Sequence, residues 1–382
     1  MKKEKQSRKG KKIYRVLIGL IELMLVLLMV AGLAGVYIYK SGEMALRASA
    51  ETKAPEVVSD VIGEQRLRAA YEQNTQKTLM WQDDWIVYED TVYEYKDNCL
   101  NFLLMGIDRS GELSKDTDLS DWSAGQADAI FLVSLDTDEK KISVIGIPRN
   151  AMVNLEIYNQ EEECIDTIYN QICLQYGYAG GGELGLEKMK DSVSDLLMGL
   201  PIHGACAVSY DAIGVITDML GGIEVMIPED MTAYRGDYTA GSIVTLNGKN
   251  VVEYLRYRDN SELGSPTTRL TRQKEFMKAA IDDAVQAVKK NPAVVKEMYQ
   301  AVLRYMNTDI TLDKAVYLAA QSLDYSIADN SFYQLTGEDK RVDFEQPQKS
   351  EDFYDDFYLD KEYLTETLVR VFYREVVVDM PE

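Results

Sequence analysis

The sequence has a single histidine, His203, and only four cysteines, none of them in a Cys-x-x-Cys pair. Histidine-based catalytic triads and His-rich metal sites are therefore not expected. Without a Cys-x-x-Cys pair, neither a zinc ribbon nor a redox motif is indicated. The cysteines are either four separate thiols or, outside the cytoplasm, able to form a disulfide. Catalysis would have to use carboxylates, arginine, lysine, tyrosine or a metal ion bound by oxygen.

Basic residues are scarce beyond the N-terminus. The chain has 41 Lys and Arg against 63 Asp and Glu, a formal net charge of −22. Nine of the basic residues lie in the first 40 positions, which leaves 32 basic and 61 acidic residues for the remainder. So acidic a surface repels phosphate groups, and we expect no general binding of nucleic acid. Any cluster of arginines in this background is therefore informative.

Long apolar runs are absent except at residues 16–39. At about 1.5 Å per residue, a helix of this length crosses a hydrocarbon core of about 30 Å. Eight basic residues precede the run. The positive-inside rule therefore predicts a cytoplasmic tail at 1–15 and a single-pass protein whose main domain lies outside the cell. A cleaved signal peptide is the alternative, since residues 48–50 (ASA) resemble a cleavage site, but the apolar run is long for one.

Residues 40–97 carry no motif and are predicted to form an extracytoplasmic stalk. From residue 98 onward, apolar runs alternate with segments of helical periodicity. Strands are predicted at 101–106, 129–135, 142–147, 205–209 and 223–227. Helices are predicted at 186–198, 211–220, 269–290, 294–305, 312–322 and 359–373.

This alternation predicts an α/β domain over residues 98–375, followed by a tail at 376–382. The polar segment 136–141 suits a turn between the second and third strands, which would then form a hairpin. A hairpin makes the central sheet mixed rather than wholly parallel. The charge-rich segment 339–356 is predicted to be a solvated loop.

Acidic residues lie at the ends of the first two predicted strands. Asp108 and Arg109 directly follow the first strand, and Asp128 begins the second. Ligands of open α/β sheets bind beyond the carboxyl ends of strands. Two carboxylates that meet at such an edge suit Mg²⁺, which keeps waters and shares substrate phosphates. The spacing is explained equally well by a surface ion pair and a solvated aspartate.

Arginines cluster in two other places. Arg149 follows Pro148 at the end of the third strand, where it can bind phosphate through two parallel hydrogen bonds. A second group crowds into 18 residues: Arg256, Arg258, Arg269, Arg272 and Gln273. Arg269 and Arg272 are predicted near a helix N-terminus, where a bound anion would offset the unfavourable dipole. Pairing with Asp259 and Glu262 is the alternative explanation of this group.

The order of these blocks resembles that of the LytR-CpsA-Psr family of cell-envelope proteins. The similar segments are 101–109 (NFLLMGIDR), 127–135 (ADAIFLVSL), 142–150 (ISVIGIPRN), 176–181 (YGYAGG), 220–228 (LGGIEVMIP), 246–258 (LNGKNVVEYLRYR), 269–276 (RLTRQKEF), 307–310 (NTDI) and 335–338 (LTGE). The resemblance covers residues 98–375.

The resemblance implies a short cytoplasmic tail, one membrane helix and an external α/β/α sandwich with a central mixed sheet. It implies transfer of a glycopolymer from a polyprenyl-pyrophosphate carrier to peptidoglycan, with formation of a phosphodiester and assistance from Mg²⁺. The partners implied are that lipid-linked polymer, peptidoglycan and the membrane, with the lipid in an apolar channel.

The resemblance also assigns roles to residues of this chain. Asp108 and Asp128 match the acids that hold the metal, and Asp108 is the candidate proton acceptor, acting with Arg149 in catalysis. The residues that match the phosphate-binding set are Arg109, Arg149, Arg256, Arg258, Arg269 and Gln273.

Three features depart from the family pattern. Asn150 stands where the family usually has Asp after Ile-Pro-Arg, and an amide cannot act as a general base at neutral pH. The segment between Asp108 and Asp128 is long, and 264–268 lacks the usual Asp-containing turn. Two alternatives to transfer therefore stay open: a catalytically weak, membrane-anchored protein that binds polyprenyl phosphates or regulates envelope assembly, and a pyrophosphatase that uses the same site with water as acceptor.

Overall fold

The structure is a computed structural model that describes residues 38–49, 53–57, 59–73, 81–113, 124–257, 265–325, 329–341 and 355–377. The predicted cytoplasmic tail and all but the last two residues of the predicted membrane span, 16–39, lie outside these ranges. No helix within the described ranges is long and apolar enough to cross a membrane.

The described part of the chain contains fifteen strands. They are β1 (Ile86–Tyr88), β2 (Thr91–Tyr95), β3 (Cys99–Ile107), β4 (Ala127–Asp136), β5 (Lys141–Ile147), β6 (Met152–Tyr158), β7 (Cys164–Gln171), β8 (Gly204–Val208), β9 (Ile223–Met226), β10 (Ile243–Leu246), β11 (Met306–Thr308), β12 (Phe332–Gln334), β13 (Gly337–Arg341), β14 (Asp355–Leu359) and β15 (Tyr373–Glu375).

The described helices alternate with these strands. They are α1 (residues 38–47), α2 (Val61–Gln73), α3 (Gln175–Tyr178), α4 (Gly182–Leu196), α5 (Tyr210–Met219), α6 (Val251–Arg256), α7 (Ser265–Lys290), α8 (Val294–Val302), α9 (Leu312–Ser322) and α10 (Lys361–Phe372).

The central sheet has six strands in the order β11-β8-β3-β4-β5-β12. Strand β4 pairs with both β3 and β5 in antiparallel orientation. Strand β8 pairs with β3, and β12 pairs with β5, in parallel orientation. The sheet is therefore mixed, and the predicted hairpin of the second and third apolar runs is confirmed as β4–β5. The mixed α/β class predicted from the alternating pattern is confirmed as well.

Side chains of alternate residues on the central strands pack into two separate apolar clusters, one on each face. Leu103 of β3 packs in a cluster with Met189 of α4 and Leu368 of α10. Its neighbour Phe102 packs in the other cluster, which includes Leu270 of α7. Both faces of the sheet are covered, which explains why β3 to β5 read as continuous apolar runs.

Two segments of the predicted stalk, 40–97, are joined to the rest of the chain. Strands β1 and β2 form a three-stranded sheet with β15, in which Tyr95 lies opposite Tyr373. Leu46 of α1 is fully buried in the cluster that includes Phe102. Main-chain hydrogen bonds therefore join β2 to β15 near the C-terminal end of the described chain, and α1 packs into the core on one face of the central sheet.

The structure corrects two predicted elements. Helix α7 begins at Ser265, four residues earlier than predicted, so Arg269 and Arg272 are its fifth and eighth residues. They lie beyond the first turn, where the helix dipole acts, and the predicted conflict with the dipole is wrong. The segment 339–356 is not wholly a loop, since its two ends belong to β13 and β14, which pair in antiparallel register.

The hairpin β6–β7 was not predicted, because β7 is exposed along most of its length and lacks an apolar face. All four cysteines are free thiols, three of them buried or half-buried and one, Cys164, exposed. Of the two alternatives left open by the sequence, the structure shows the separate thiols. His203 is a core residue whose Nδ1 accepts a hydrogen bond from the backbone N–H of Asn101 at 3.0 Å.

Candidate active site

Arg149 lies two residues beyond the carboxyl end of β5, the strand next to the edge strand β12 of the central sheet. Pro148 ends the strand, and the side chain that follows turns back over the edge toward β4. The Arg149 Nη2 donates to Gln126 Oε1 at 2.6 Å and to Cys173 Sγ at 3.3 Å. Its Nη1 lies 2.5 Å from Asp128 Oδ1. The guanidinium is thus held on both sides by groups from the start of β4 and the segment after β7.

Asp128 joins two arginines that are far apart in the sequence. Its second oxygen, Oδ2, lies 3.3 Å from Nη1 of Arg269, and its backbone carbonyl accepts from Nη2 of Arg269 at 3.2 Å. The Arg269 side chain is only 6% exposed. Two guanidiniums share one carboxylate, so this group carries a net positive charge in a strongly acidic protein. Such a site attracts an anion, and arginine presents the geometry that suits phosphate.

These residues line an open pocket. The described residues that form its wall are Asp128, Ala129, Ile147, Pro148, Arg149, Asn150, Arg269, Leu270, Gln273, Gln334, Leu335, Asp339 and Phe357. Four of the predicted site residues, Asp128, Arg149, Arg269 and Gln273, therefore meet in one place. Apolar side chains from β5, α7 and β14 complete the wall, so the pocket offers both charge and apolar surface.

Asp108 lies beside this pocket rather than in its wall. Its Oδ1 accepts a hydrogen bond from the backbone N–H of Gln126 at 2.6 Å, and Gln126 in turn contacts Arg149. Gly125, with φ of +89°, permits this approach, because a Cβ there would meet Ile107 at 2.8 Å and Asp108 Oδ1 at 3.0 Å. Gln126 thus connects Asp108 to the arginine pocket, a role for which the sequence offered no signal.

Arg109 and Arg256 lie around Tyr210, at the start of α5. The carbonyl of Arg109 accepts the Tyr210 N–H at 3.1 Å, and the Arg256 guanidinium stacks over the Tyr210 ring at 4.6 Å from its centroid. Burial, with a smaller contribution from Asp128, raises the pKa of Tyr210 to about 12, and Arg256 acts in the opposite direction. Its buried hydroxyl has no hydrogen-bond partner among the described residues. Tyr210 is a site residue that the sequence did not reveal.

Arg272 does not belong to the pocket, although it is only three residues from Arg269. Its guanidinium donates to Glu229 and to the backbone carbonyl of Tyr257, and its side chain is 3% exposed. Burial lowers the pKa of Arg272 to about 10, so it stays charged at neutral pH. Arg272 therefore connects α7 to neighbouring segments.

Several predicted residues lie outside the described part of the chain. They are Arg258, the alternative partners Asp259 and Glu262, and most of the long segment between Asp108 and Asp128. Among the described residues, no group of three or more His, Cys, Asp or Glu side chains could hold a metal ion.

Fold and pocket together define a mixed α/β protein with an arginine-lined site at the edge of its central sheet. The sequence model of the LytR_cpsA_psr family matches residues 63–355, and the chain belongs to this family. The resemblance predicted from the ordered blocks is confirmed.

Two curated relatives match part of the chain. It is 25% identical over 227 residues to the polyisoprenyl-teichoic acid–peptidoglycan teichoic acid transferase TagU of Oceanobacillus iheyensis, covering 58% of this chain and 62% of that protein. It is 24% identical over 200 residues to the corresponding transferase TagV of Bacillus subtilis, covering 51% of this chain and 47% of that protein. The matches thus span about half to three fifths of these relatives.

Solved structures share the fold. The crystal structure of B. subtilis TagV aligns with a TM-score of 0.51 at 21% identity, covering 72% of this chain and 96% of that one. Protein gbs0355 from Streptococcus agalactiae aligns with a TM-score of 0.53 at 21% identity, covering 72% and 87%. At this level of identity the likeness shows the mixed α/β fold alone.

Proposed function

We propose that this protein transfers a glycopolymer from a polyprenyl-pyrophosphate carrier to peptidoglycan and leaves the two joined by a phosphodiester. The observation that carries the proposal is the convergence of Arg149 and Arg269 on Asp128 in an open pocket. Two guanidiniums that contact the same carboxylate suit a pyrophosphate, which carries several negative oxygens side by side. The names of the related transferases, which act on polyisoprenyl-linked teichoic acid, support the same substrate class.

The arginines supply the electrostatic part of the proposed reaction. A sugar hydroxyl attacks the phosphorus nearest the donor sugar, and the bond from that phosphorus to the bridging oxygen breaks. Polyprenyl phosphate leaves with the electron pair of this bond. Negative charge develops on the phosphoryl oxygens and on the leaving group, and the guanidiniums of Arg149 and Arg269 in the pocket wall would stabilise it. Gln273 lines the same wall and can donate hydrogen bonds to a phosphoryl oxygen.

Arg109, Arg256 and Arg258 are proposed to contact the outer part of the same phosphate group. Arg256 is exposed and stacks on Tyr210, whose backbone N–H donates to the carbonyl of Arg109 on the side of Asp108. A phosphate oxygen that reaches this side would also satisfy the buried Tyr210 hydroxyl.

Asp108 and Asp128 are proposed to hold Mg²⁺. Two carboxylates from neighbouring strand ends fit an ion that takes oxygen ligands and completes its shell with water and substrate phosphate. The two aspartates are connected through Gln126, whose backbone N–H donates to Asp108 and whose side chain contacts Arg149, the partner of Asp128. The ion would neutralise charge on the pyrophosphate. In the structure, Asp128 is held by Arg149 and Arg269.

The proposed location is the outer face of the cell membrane. We propose that residues 16–39 span the membrane once, with 1–15 in the cytoplasm, and that the domain outside is an α/β/α sandwich. The apolar part of the pocket, including Leu270, Leu335 and Phe357, suits the first isoprene units of a lipid carrier. Lipid, peptidoglycan and the membrane are then the partners, and nucleic acid is not one of them.

The test is a reconstituted reaction of the 382-residue chain in detergent micelles. The donor is a polyprenyl-pyrophosphate-linked disaccharide, the acceptor is a peptidoglycan oligomer, and Mg²⁺ is present; products are identified by mass spectrometry. We expect a sugar phosphate joined to the acceptor, lost on chelation of Mg²⁺ and in Arg149→Ala. Free sugar phosphate without joined product would favour the pyrophosphatase, and bound donor without any product would favour the binding protein.

A further inference from the structure

One wall of the pocket is built by the C-terminal hairpin β13–β14. The backbone N–H of Phe357 donates to the carbonyl of Asn150 at 2.9 Å, and Phe357 forms a parallel bridge with Ala151. Just before the hairpin, the N–H of Leu335 donates to the carbonyl of Gly146 at 3.1 Å. Main-chain hydrogen bonds therefore fix the hairpin to both sides of the segment that carries Arg149.

This hairpin brings a second carboxylate into the pocket wall. Asp339 of β13 lies opposite Phe357 of β14 in the register, and both side chains line the pocket. Asp339 Oδ1 accepts a hydrogen bond from Asn150 Nδ2 at 3.3 Å. Because side chains alternate along a strand, the neighbouring residues Glu338 and Lys340 project from the other face. They form an exposed ion pair with each other at 3.4 Å.

Asp339 and Asn150 form a pair suited to a sugar hydroxyl. A carboxylate accepts hydrogen bonds only, whereas an amide both donates and accepts. Asn150 is buried, and Asp339 is exposed to solvent, from which an acceptor would arrive. Among the described residues that line the pocket, the acids are Asp128 and Asp339, and Asp128 is paired with two arginines. The amide cannot accept a proton, so the carboxylate of the pair is the group that can.

We infer that Asn150 and Asp339 form the acceptor subsite, in which Asp339 binds the attacking hydroxyl and takes its proton. The inference rests on the proposed transfer. The hydroxyl oxygen forms its bond to phosphorus while its O–H bond breaks and the proton passes to the Asp339 carboxylate. Polyprenyl phosphate leaves as already described. Asp339, rather than Asp108, then holds the role of proton acceptor, and the carboxylate comes from a strand 189 positions away from Asn150.

The test compares three variants of the 382-residue chain with the wild type. Asp339→Asn keeps the shape of the side chain and can still contact Asn150. Glu338→Gln removes the same charge from the opposite face of the same strand and serves as the matched control. The third variant, Asn150→Asp combined with Asp339→Asn, exchanges the two groups across a hydrogen bond. Donor affinity is measured by titration with the lipid-linked disaccharide, and transfer by single-turnover mass spectrometry.

A general base contributes roughly 10²–10⁴-fold to a rate. We therefore expect Asp339→Asn to transfer at least about 100-fold more slowly while it binds the donor as tightly as the wild type. Glu338→Gln should stay within about twofold in both measurements, and the exchanged pair should recover transfer to within about tenfold of the wild type.

Two outcomes would overturn the assignment of Asp339 and leave the proposed transfer standing. Transfer by Asp339→Asn within a few-fold of the wild type excludes Asp339 as the proton acceptor. Equal loss of donor binding and transfer, without recovery in the exchanged pair, assigns Asp339 a structural role instead. A wild-type protein that binds the donor but transfers to no sugar acceptor would overturn the proposed function and this inference together.

Discussion

Replacement of Arg269 by methionine separates the role of this side chain in the reaction from its role in folding. Methionine keeps most of the apolar length of the side chain and removes the guanidinium. Two hydrogen bonds to Asp128 are lost, one at 3.3 Å to the carboxylate and one at 3.2 Å to the carbonyl. Arg149 still faces the carboxylate at 2.5 Å, so no uncompensated charge remains. At about 1 kcal/mol for each long, charge-assisted bond, the protein should lose about 2 kcal/mol of stability.

The effect of the same change on transfer should be larger. Loss of one preorganised donor to developing charge costs about 10²–10³-fold, and arginines that act on a transferred phosphoryl group reach about 10³–10⁵-fold. We expect transfer by Arg269→Met to fall by about 1000-fold, which corresponds to about 4 kcal/mol of transition-state stabilisation. Stability is measured by urea unfolding, and transfer by single-turnover mass spectrometry per folded molecule.

Arg272→Met is the matched control for this prediction, on the same helix and at similar burial. Its guanidinium contacts Glu229 and the Tyr257 carbonyl, both outside the pocket. Removing one partner of a buried ion pair costs about 3–5 kcal/mol, so Arg272→Met should be the less stable variant. Its transfer rate per folded molecule should stay within about threefold of the wild type. Near-normal transfer by Arg269→Met, or equal loss in both variants, would refute the assignment of Arg269 to phosphate.

Two further predictions concern stability and pH. Burial acts to raise the pKa of Asp136, but the backbone N–H of Glu139 and the Lys96 ammonium at 3.1 Å lower it by more, so the folded pKa lies below the usual value. Its stabilisation is then present above about pH 4 and is lost as the pH falls through the folded pKa. Asp136→Asn leaves Lys96 paired with Glu139 at 2.9 Å, so it should cost only about 2 kcal/mol at pH 7 in urea unfolding. The difference should disappear in acid; a constant difference would contradict this. Burial lowers the pKa of His203 to about 4, with Arg47 acting in the same direction. Because the unfolded state takes up the proton first, stability should be complete above about pH 6.5 and fall by up to about 3 kcal/mol toward pH 4. His203 is the only histidine of the chain, so His203→Gln should remove this dependence of stability on pH. An unchanged dependence would assign it to other groups.

The central strands were predictable because their sequences carry two signals at once. Strands β3, β4 and β5 are continuous apolar runs, and the polar residues 136–141 mark the turn between β4 and β5. Helix α9 was predicted with its observed ends, Leu312 and Ser322. Where a strand is exposed and polar, as in β7, no such signal exists, and its partner supplies the pattern only after folding.

The arginine pocket was predictable in part. Arg149 stood out because it follows a strand end, and Arg269 because it belongs to a cluster of arginines in an acidic chain. The structure brings the two together on Asp128. Gln126 contacts Arg149, and Tyr210 contacts Arg256, through neutral side chains that no motif marked. The position of Asp339 in the pocket was not predictable from the charge-rich segment in which it lies. It follows only from the pairing of β13 with β14 and from the contact of β14 with Asn150.

The most direct test of the central claim is a crystal structure of the protein with a non-hydrolysable polyprenyl-pyrophosphate sugar analogue and Mg²⁺. We expect the pyrophosphate oxygens to lie within hydrogen-bond distance, about 3 Å, of the guanidiniums of Arg149 and Arg269. We also expect the isoprene chain to lie along the apolar side chains of the same pocket. A pyrophosphate bound elsewhere, with both arginines still paired to Asp128, would contradict the account.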